Sequence, residues 1–248
     1  MRGGAPTGTL LGIWAHPDDE AYLSAGVMTA ALRAGHRVAV ATATRGDLGT
    51  DDPAGSPPDR LARLREEELA VSLAALGVTE HRWLGPGGQP LVDGTLHTVP
   101  EEEGARLVAD LLAEVRPDTV VTFGPDGLTG HPDHRAVSGW VTRAWHEAGR
   151  PGRLWYAALT ADFLARWGRV SAEVGVWMDG GPPRPVPRRA LAHHQVCTGD
   201  VLDRKYAALV AHASQTARLI DHVGPERYRQ WWATEAFVAA PLALEEVA

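Results

Sequence analysis

Short apolar runs alternate with longer amphipathic stretches through the first half of the chain, and this alternation is what most limits its fold. The runs 9–15, 38–44, 80–84 and 119–123 have the length of buried strands. Stretches with helical periodicity separate them, as in βαβ units. The pattern predicts an α/β fold, a single Rossmann-like domain with a mainly parallel sheet flanked by helices.

Boundary signals place the helices between these strands. Helices are predicted over 22–34, 60–76 and 98–116. Gly77 is expected to end the second helix, and Thr98 to cap the third, since Pro100 suits a first helical turn. Pro132 is expected at the first position of a further helix that His131 would cap.

The pattern becomes less regular after residue 150. Strands are predicted over 154–159 and 172–177, followed by an irregular Pro-rich surface segment from Gly180 to Arg189 and a helix over 200–213. The sequence has no internal repeat, and it has no linker long enough to separate two domains. The sequence therefore predicts one domain over residues 1–248.

Composition excludes several functional classes. A formal net charge of −7 argues against a broad nucleic-acid surface, which needs clustered basic residues, and favours a small-molecule partner. One cysteine excludes an intrachain disulfide framework and a thiolate metal site. No run approaches the ~20 apolar residues of a membrane span, so the expected location is the cytoplasm.

Two histidine-containing segments follow predicted parallel strands. His16-Pro17-Asp18-Asp19-Glu20 comes after the first strand, and His131-Pro132-Asp133-His134 follows the strand that ends at Phe123. Ligands of open parallel sheets bind at the carboxyl ends of the strands, so both segments can converge on one site. Imidazole and carboxylate groups suit a divalent ion such as zinc, and consecutive aspartates would repel each other without a cation or donor nearby.

These two segments resemble the motifs of the LmbE-like, or PIG-L-like, zinc-dependent N-deacetylases. The family pattern Ala-His-Pro-Asp-Asp-Glu matches Ala15 to Glu20, and the second motif matches Gly130 to His134. The resemblance spans roughly residues 10–215. It implies that His16, Asp19 and His134 bind one zinc ion, or another divalent metal.

The resemblance also implies catalytic roles. Asp18 would be the general base, and His131 would face the substrate carbonyl. Asp133 would orient His131 or keep it protonated, because a neighbouring carboxylate favours the charged imidazole. Three protein ligands leave one position of a tetrahedral zinc open for water and substrate, as in catalytic sites. The sequence does not choose between Asp18 and His131 as proton donor to the leaving amine.

Candidate substrate-binding residues lie in the loops around these motifs. Arg45 follows the second strand and offers a planar donor fork, with a surface salt bridge as the alternative. Asp93 and Gln215 resemble family positions that contact the sugar or acyl group. Relatives carry a tyrosine shortly before the second motif where this chain has Leu128-Thr129, which puts tyrosine-assisted oxyanion stabilisation in doubt.

The predicted function is zinc-dependent removal of an acetyl or other acyl group from the amide nitrogen of an N-acetylglucosamine-type sugar or conjugate. The alternative within the same chemistry is an amidase acting on a thiol conjugate or an acylated antibiotic scaffold. A metal-dependent phosphoesterase and a non-catalytic binding module are less favoured. A homo-oligomer is compatible with the sequence.

Overall fold

A seven-stranded sheet forms the centre of the molecule. The computed structural model describes residues 8–178 and 181–242. The strand order is β3-β2-β1-β4-β5-β7-β6, and β3 to β5 run parallel, whereas β7 pairs antiparallel with both β5 and β6. The strands are β1 Leu10–Trp14, β2 Val38–Thr42, β3 Glu80–Trp83, β4 Thr119–Phe123, β5 Arg153–Ala157, β6 His193–Val196 and β7 Thr234–Ala239.

Within the described residues, nine α-helices accompany the sheet. They are α1 Asp19–Leu23, α2 Ala25–Arg33, α3 Pro58–Leu76, α4 Glu101–Val115, α5 Pro132–Glu147, α6 Ala161–Glu173, α7 Gly199–Ala211, α8 Ala213–Val223 and α9 Pro225–Trp231. β1, β2 and β4 are buried along their whole length, which explains why they appear in the sequence as continuous apolar runs. The predicted α/β class and mainly parallel sheet are confirmed.

The strand order changes direction at β1. From β1 the chain moves outward to β2 and β3 on one side, then returns to place β4 and β5 on the other. The loops after β1 and β4 therefore begin side by side at the same edge of the sheet and turn away from each other. This is the topological switch point at which open parallel sheets bind ligands. Both histidine-containing segments begin in these two loops and continue into the first turns of α1 and α5.

Several predicted helix boundaries are confirmed and others are wrong. Gly77 ends α3 with a φ of 82°, and His131 caps α5 through its side chain with Pro132 next in the chain. The helix predicted from residue 22 begins instead at Asp19 and is interrupted at Ser24. Thr98 does not cap α4, because it lies in a separate 3₁₀ turn and Pro100 directly precedes the helix.

The strand predicted over 172–177 is also wrong. These residues form the last turn of α6 and the segment after it. Val174, Val176 and Trp177 pack against the core from that segment, so an apolar cluster in an irregular turn imitated a strand. The prediction missed α6 itself, whose Phe163, Trp167 and Val170 have helical spacing.

A buried ion pair joins the C-terminal half to the first helices. Lys205, the single lysine of the sequence, donates from α7 to the carbonyl of Tyr22 at 2.7 Å and to Glu235 of β7 at 2.5 Å. Glu235 also accepts the backbone N–H groups of Gly26 and Val27 in the first turn of α2. Two carboxylate oxygens thereby satisfy a helix N-terminus inside the protein.

No helix in the described ranges is long and apolar enough to cross a membrane. Residues 1–7, 179–180 and 243–248 lie outside the described residues, and with them the ends of the predicted domain and the first residue of the predicted Pro-rich segment, Gly180. The remainder of that segment, 181–189, is irregular except for a short 3₁₀ turn beginning at Arg188, as predicted.

Candidate active site

The loop after β1 and the first turns of α1 and α5 bring three side chains into a triangle, in which each carboxylate oxygen of Asp19 faces one of the two histidines. His16 Nδ1 lies 3.2 Å from His134 Nε2. Asp19 Oδ2 lies 3.7 Å from the same His16 atom, and Asp19 Oδ1 lies 3.4 Å from His134 Nε2. Ligand atoms bound to tetrahedral zinc at its usual bond lengths are about 3.3–3.5 Å apart. The three predicted metal ligands are therefore together, at separations that suit such an ion.

The outer nitrogen of each ring faces oxygen atoms of neighbouring residues. His134 Nδ1 donates to the carbonyl of Gly127 at 3.0 Å, so Nε2 of a neutral ring is unprotonated and has a free lone pair. His16 Nε2 faces Asp93 Oδ1 at 3.2 Å and Asp133 Oδ2 at 3.6 Å. Carboxylates behind a ligating histidine fix its orientation in many metal sites. His16 Nδ1 and His134 Nε2 then face each other and the carboxylate of Asp19. A cation between them would be bound by two nitrogen atoms and a carboxylate.

Burial and neighbouring groups shift the pKa values of the two histidines in opposite directions. Burial lowers the pKa of His16, but interactions with Asp133 and Asp93 outweigh it and raise the pKa to about 10. Burial, followed by the charges of His16 and His131, holds the pKa of His134 well below its usual value, so that ring is a neutral ligand.

His131 completes a cluster of three imidazoles. Its ring centre lies 4.7 Å from that of His16 and 4.9 Å from that of His134, and the three residues form a second possible ligand set, with ligand atoms within 4.8 Å of one another. His16, Asp93 and Asp133 form another such set. The resemblance to the family motifs favours the triangle with Asp19 as the ligand set, which leaves His131 beside the ion.

The carboxylate of Asp133 forms its hydrogen bonds with residues other than His131, although its charge raises the pKa of that ring. Its oxygens accept the backbone N–H groups of Gly94 at 2.9 Å and Leu96 at 3.0 Å and face His16. The backbone N–H of Asp133 instead donates to His131 Nδ1 at 3.1 Å. Because Nδ1 of His131 accepts a hydrogen bond, the ring is neutral and its proton is on Nε2. Burial lowers the pKa of His131, which also favours the neutral ring.

Asp18 lines the same cavity in an unusual backbone conformation. Its φ is 112°, a region that residues other than glycine rarely adopt. Its N–H donates to Glu20 Oε2 at 2.9 Å, and its carboxylate lies 3.2 Å from the guanidinium of Arg65. Burial raises the pKa of Asp18 to about 6 although Arg65 opposes this. Such a carboxylate suits a general base near neutral pH.

Arg65 fixes the turn that carries Asp18. It is 3% exposed and donates to the carbonyl of Gly46 at 2.7 Å, to the carbonyl of Pro17 and to Asp18. The sequence interpretation missed this residue. A signal was present, because Arg65 falls between Leu61 and Leu69 on the buried face of α3.

Glu20 lies behind Asp18 and is fully buried. It accepts from Ser72 Oγ at 2.7 Å and from His212 Nε2 at 2.8 Å. Burial raises the pKa of Glu20, but His212 and Ser72 outweigh it and lower the pKa. The Glu20–His212 hydrogen bond connects the residue that precedes α8 to the first turn of α1, next to Asp18.

The three predicted substrate-binding residues are placed differently. Asp93 lines the cavity, where it accepts from Thr44 Oγ1 and from the N–H of Leu48. Gln215 lines it from α8 and donates to the carbonyl of Gly49 at 3.0 Å. Arg45 is not among the lining residues. It pairs with Glu66 at 2.9 Å, the salt-bridge alternative considered from the sequence.

The residues that line the cavity, among them Asp18, Asp93 and Gln215, surround one space of about 390 Å³. The volume is within the usual range for a small-molecule site. A buried triangle of possible metal ligands, a carboxylate base and an imidazole donor open into it. This combination suits hydrolysis of an amide held against the metal.

A family comparison agrees with this arrangement. Residues 11–145 match the PIG-L family, described as GlcNAc-PI de-N-acetylase. The chain belongs to the PIG-L family. The match covers β1 to α5 and includes both histidine-containing loops. The predicted family and enzyme class, a hydrolytic N-deacetylase, are confirmed.

Curated relatives support the assignment to the PIG-L family. The chain is 34% identical to a 1D-myo-inositol 2-acetamido-2-deoxy-alpha-D-glucopyranoside deacetylase of Kineococcus radiotolerans, over 87% of this chain and 71% of the relative. A protein of the same name from Tsukamurella paurometabola is 32% identical over 85% and 84% of the two chains. These alignments extend well beyond α5.

Solved structures share the fold at lower identity. N,N'-diacetylchitobiose deacetylase from Pyrococcus horikoshii has a TM-score of 0.62 and 19% identity, covering 96% of this chain and 87% of that one. A deacetylase of the teicoplanin biosynthetic pathway has a TM-score of 0.64 and 20% identity, covering 95% and 100%. Both likenesses show the same α/β fold over nearly the whole chain.

Proposed function

We propose that this enzyme removes the acetyl group from the amide nitrogen of an N-acetylglucosamine-type sugar or conjugate, with one zinc ion held by His16, Asp19 and His134. The observation that carries the proposal is the ligand triangle, with edges of 3.2–3.7 Å, beside Asp18 in one cavity. The names of the curated relatives, which are deacetylases of a glucosaminyl inositol, support the sugar substrate.

The residues divide the chemistry among them. Zinc, when bound, supplies Lewis-acid polarisation of the amide oxygen and lowers the pKa of a water molecule. Asp18 accepts the proton of the attacking water, and Arg65 holds the Asp18 carboxylate towards the cavity. His131 donates from Nε2 to the oxygen on which charge develops, a contact of the oxyanion-hole kind. Asp18 and His131 are both candidates to protonate the leaving nitrogen.

Substrate groups around the amide have two predicted contacts. Asp93 accepts hydrogen bonds from hydroxyl groups of the sugar, and Gln215, which also lines the cavity, contributes its side-chain amide. Arg45 has its guanidinium against Glu66, so the proposal assigns the sugar contacts to Asp93 and Gln215.

Acetate release from a panel of amides tests the proposal. Zinc-loaded protein should act on N-acetylglucosamine, its inositol conjugate or chitooligosaccharides, and not on N-acetylated amino acids. Metal analysis should find about one zinc per chain. Release from the amino acids alone would reject the sugar assignment, and full activity of metal-free protein would reject the metal.

Three expectations from the sequence accompany this proposal. The partner is a small molecule rather than a nucleic acid, a single domain extends over residues 1–248, and the enzyme works in the cytoplasm. A homo-oligomer stays a prediction. Sedimentation of the purified protein measures the assembly state directly.

A further inference from the structure

Two tyrosine hydroxyl groups meet at the edge of the cavity. Tyr22 Oη lies 2.6 Å from Tyr228 Oη. Tyr22 belongs to α1 and lines the cavity, whereas Tyr228 belongs to α9 and is fully buried behind it. The family match ends at residue 145, so Tyr228 lies outside it. The pair therefore joins the segment that carries Asp18 to the C-terminal part of the chain.

The number of protons in this pair determines its direction. Each phenol has one proton to donate, and the bond between the two hydroxyls uses one of the two protons. Among residues 8–178 and 181–242, neither hydroxyl has a second hydrogen-bond partner. If Tyr22 donated, the proton of Tyr228 would be buried without an acceptor, which is unfavourable. Tyr228 therefore donates to Tyr22, and the proton of Tyr22 is available to the cavity.

A second hydroxyl pair shows what a self-contained arrangement looks like. Tyr156 Oη also lies 2.6 Å from a hydroxyl, that of Thr142. Thr142 Oγ1 donates to the carbonyl of Ser138, so Tyr156 donates to Thr142 and both protons have acceptors. Tyr156 is not among the residues that line the cavity. The Tyr22–Tyr228 pair differs because its second proton needs an acceptor from outside the protein.

Tyr22 is held rigidly beside the proposed general base. Its N–H donates to the carbonyl of Asp18 at 3.0 Å, and its own carbonyl accepts from Lys205 at 2.7 Å. Its ring centre lies 4.5 Å from that of Trp232. Residues four positions apart lie on the same face of a helical turn, which places Tyr22 next to Asp18. Burial and the charge of Asp18 raise the pKa of Tyr22, so its hydroxyl stays a donor.

A sugar in this cavity needs such a donor. The carboxylates of Asp18 and Asp93 can only accept when they are ionised. Gln215 Nε2 already donates to the carbonyl of Gly49 and to Ser214 Oγ. A sugar hydroxyl that donates to a carboxylate loses the water that donated to its oxygen, and binding weakens unless the protein replaces it. The free proton of Tyr22 meets this requirement.

We infer that Tyr22 Oη donates a hydrogen bond to a hydroxyl oxygen of the amino sugar, and that Tyr228 is a positioning residue that directs this donor into the cavity. The inference rests on the proposed deacetylation of an amino sugar. The contacted hydroxyl does not react, so the bond is present in the bound substrate and in the transition state alike. Its loss raises KM and leaves kcat nearly unchanged.

Steady-state kinetics of the zinc-loaded protein tests the contact. Tyr22→Phe should raise the KM for N-acetylglucosamine by roughly 3- to 10-fold. The 1-deoxy, 3-deoxy, 4-deoxy and 6-deoxy forms of this sugar each lack one hydroxyl. The form that lacks the contacted hydroxyl should have a raised KM with the unchanged protein and no further rise with Tyr22→Phe. The other three forms should show the same rise as the parent sugar.

A double-variant comparison tests the role of Tyr228. Tyr228→Phe should raise KM by roughly 2- to 3-fold, because Tyr22 keeps its proton but loses the bond that directs it. Tyr22→Phe combined with Tyr228→Phe should have the KM of Tyr22→Phe alone, since a residue that acts through Tyr22 adds nothing once that hydroxyl is gone. Tyr156→Phe, which breaks the other hydroxyl pair, should leave KM unchanged. Circular dichroism checks that each variant is folded.

Each result has a definite consequence. An equal rise in KM for the parent sugar and all four deoxy forms overturns the contact with a sugar hydroxyl, as does a fall in kcat at constant KM. Multiplication of the two single effects in the double variant overturns the positioning role of Tyr228. These results leave the proposed deacetylase intact. Failure of the unchanged zinc-loaded protein to release acetate from N-acetylglucosamine and its inositol conjugate overturns the proposed function and the Tyr22 contact together.

Discussion

The polar floor and the apolar wall of the cavity are built in different ways. The floor consists of His16, Asp18, Asp19, Asp93, His131 and His134, and the wall consists of Leu48, Leu128, Val176, Met178, Leu219 and Trp232. Every side chain of the floor that bears on the metal or on proton transfer follows a parallel strand: His16 and Asp18 follow β1, and His134 follows β4. Most of the wall comes from residues after 170, where strands run antiparallel and connections are irregular. The family match covers residues 11–145, hence the floor and only part of the wall.

The difference suggests separate tasks, with the reaction carried out at the floor and the choice among substrates made at the wall. Adjacent parallel strands deliver their following loops to one edge, so the ligand triangle depends on two short segments and a sheet. The wall depends on packing among elements distant in sequence. Changes in the floor should therefore remove turnover of every substrate, whereas changes in the wall should alter the choice among substrates.

The largest expected effect is loss of the metal from the floor. His16→Ala should remove the bound zinc and reduce kcat by about 10⁴-fold, because both the polarisation of the carbonyl and the activation of water disappear. Metal content and acetate release measure the two effects. His222→Ala, an exposed histidine on α8, is the control. Normal zinc content in His16→Ala would contradict the ligand assignment.

Replacement of Asp18 should separate catalysis from metal binding. Asp18→Asn keeps the shape of the side chain and should reduce kcat by roughly 10²- to 10⁴-fold, since a general base is lost. Zinc content should stay near one per chain. Asp51→Asn, at an exposed position, provides the comparison. Simultaneous loss of zinc would place Asp18 among the ligands instead.

Replacement of Lys205, which joins the C-terminal half of the chain to the first helices, should destabilise the fold. Lys205→Met leaves Glu235 buried without its cation and should lower the free energy of unfolding by about 3–5 kcal/mol. Thermal denaturation measures this loss, with Arg204→Met on the exposed side of α7 as control. Unfolding in a single transition at lower temperature would show that the regions unfold together. An unchanged midpoint would refute the structural role of this pair.

The smallest expected effect concerns the position of Asp18. Arg65→Met should reduce kcat by roughly 10- to 100-fold with little change in KM, because a buried charge-assisted hydrogen bond is lost. Arg63→Met, two residues earlier and exposed, should retain full activity. Partial recovery in Arg65→Lys would indicate that the positive charge itself holds the carboxylate. A pure increase in KM would instead assign Arg65 to substrate binding.

Sequence reasoning succeeded where local pattern determines structure. Strands β1, β2 and β4 are buried on both faces, so their apolar runs are unambiguous. It failed over 172–177, where apolar residues pack from an irregular segment, and at α6, whose helical spacing was overlooked. Arg65 and the Glu20–His212 pair were missed because their partners lie 47 and 192 positions away in the chain.

The sequence by itself determined the parallel sheet, the two histidine-containing segments and the family, since each depends on short patterns and on strand ends that must meet. Tertiary structure alone decided the remaining assignments. It brought the carboxylate of Asp133 to His16, paired Arg45 with Glu66 and assembled an apolar wall opposite the floor. These outcomes depend on which distant side chains share a buried space, and local sequence periodicity carries no information about such contacts.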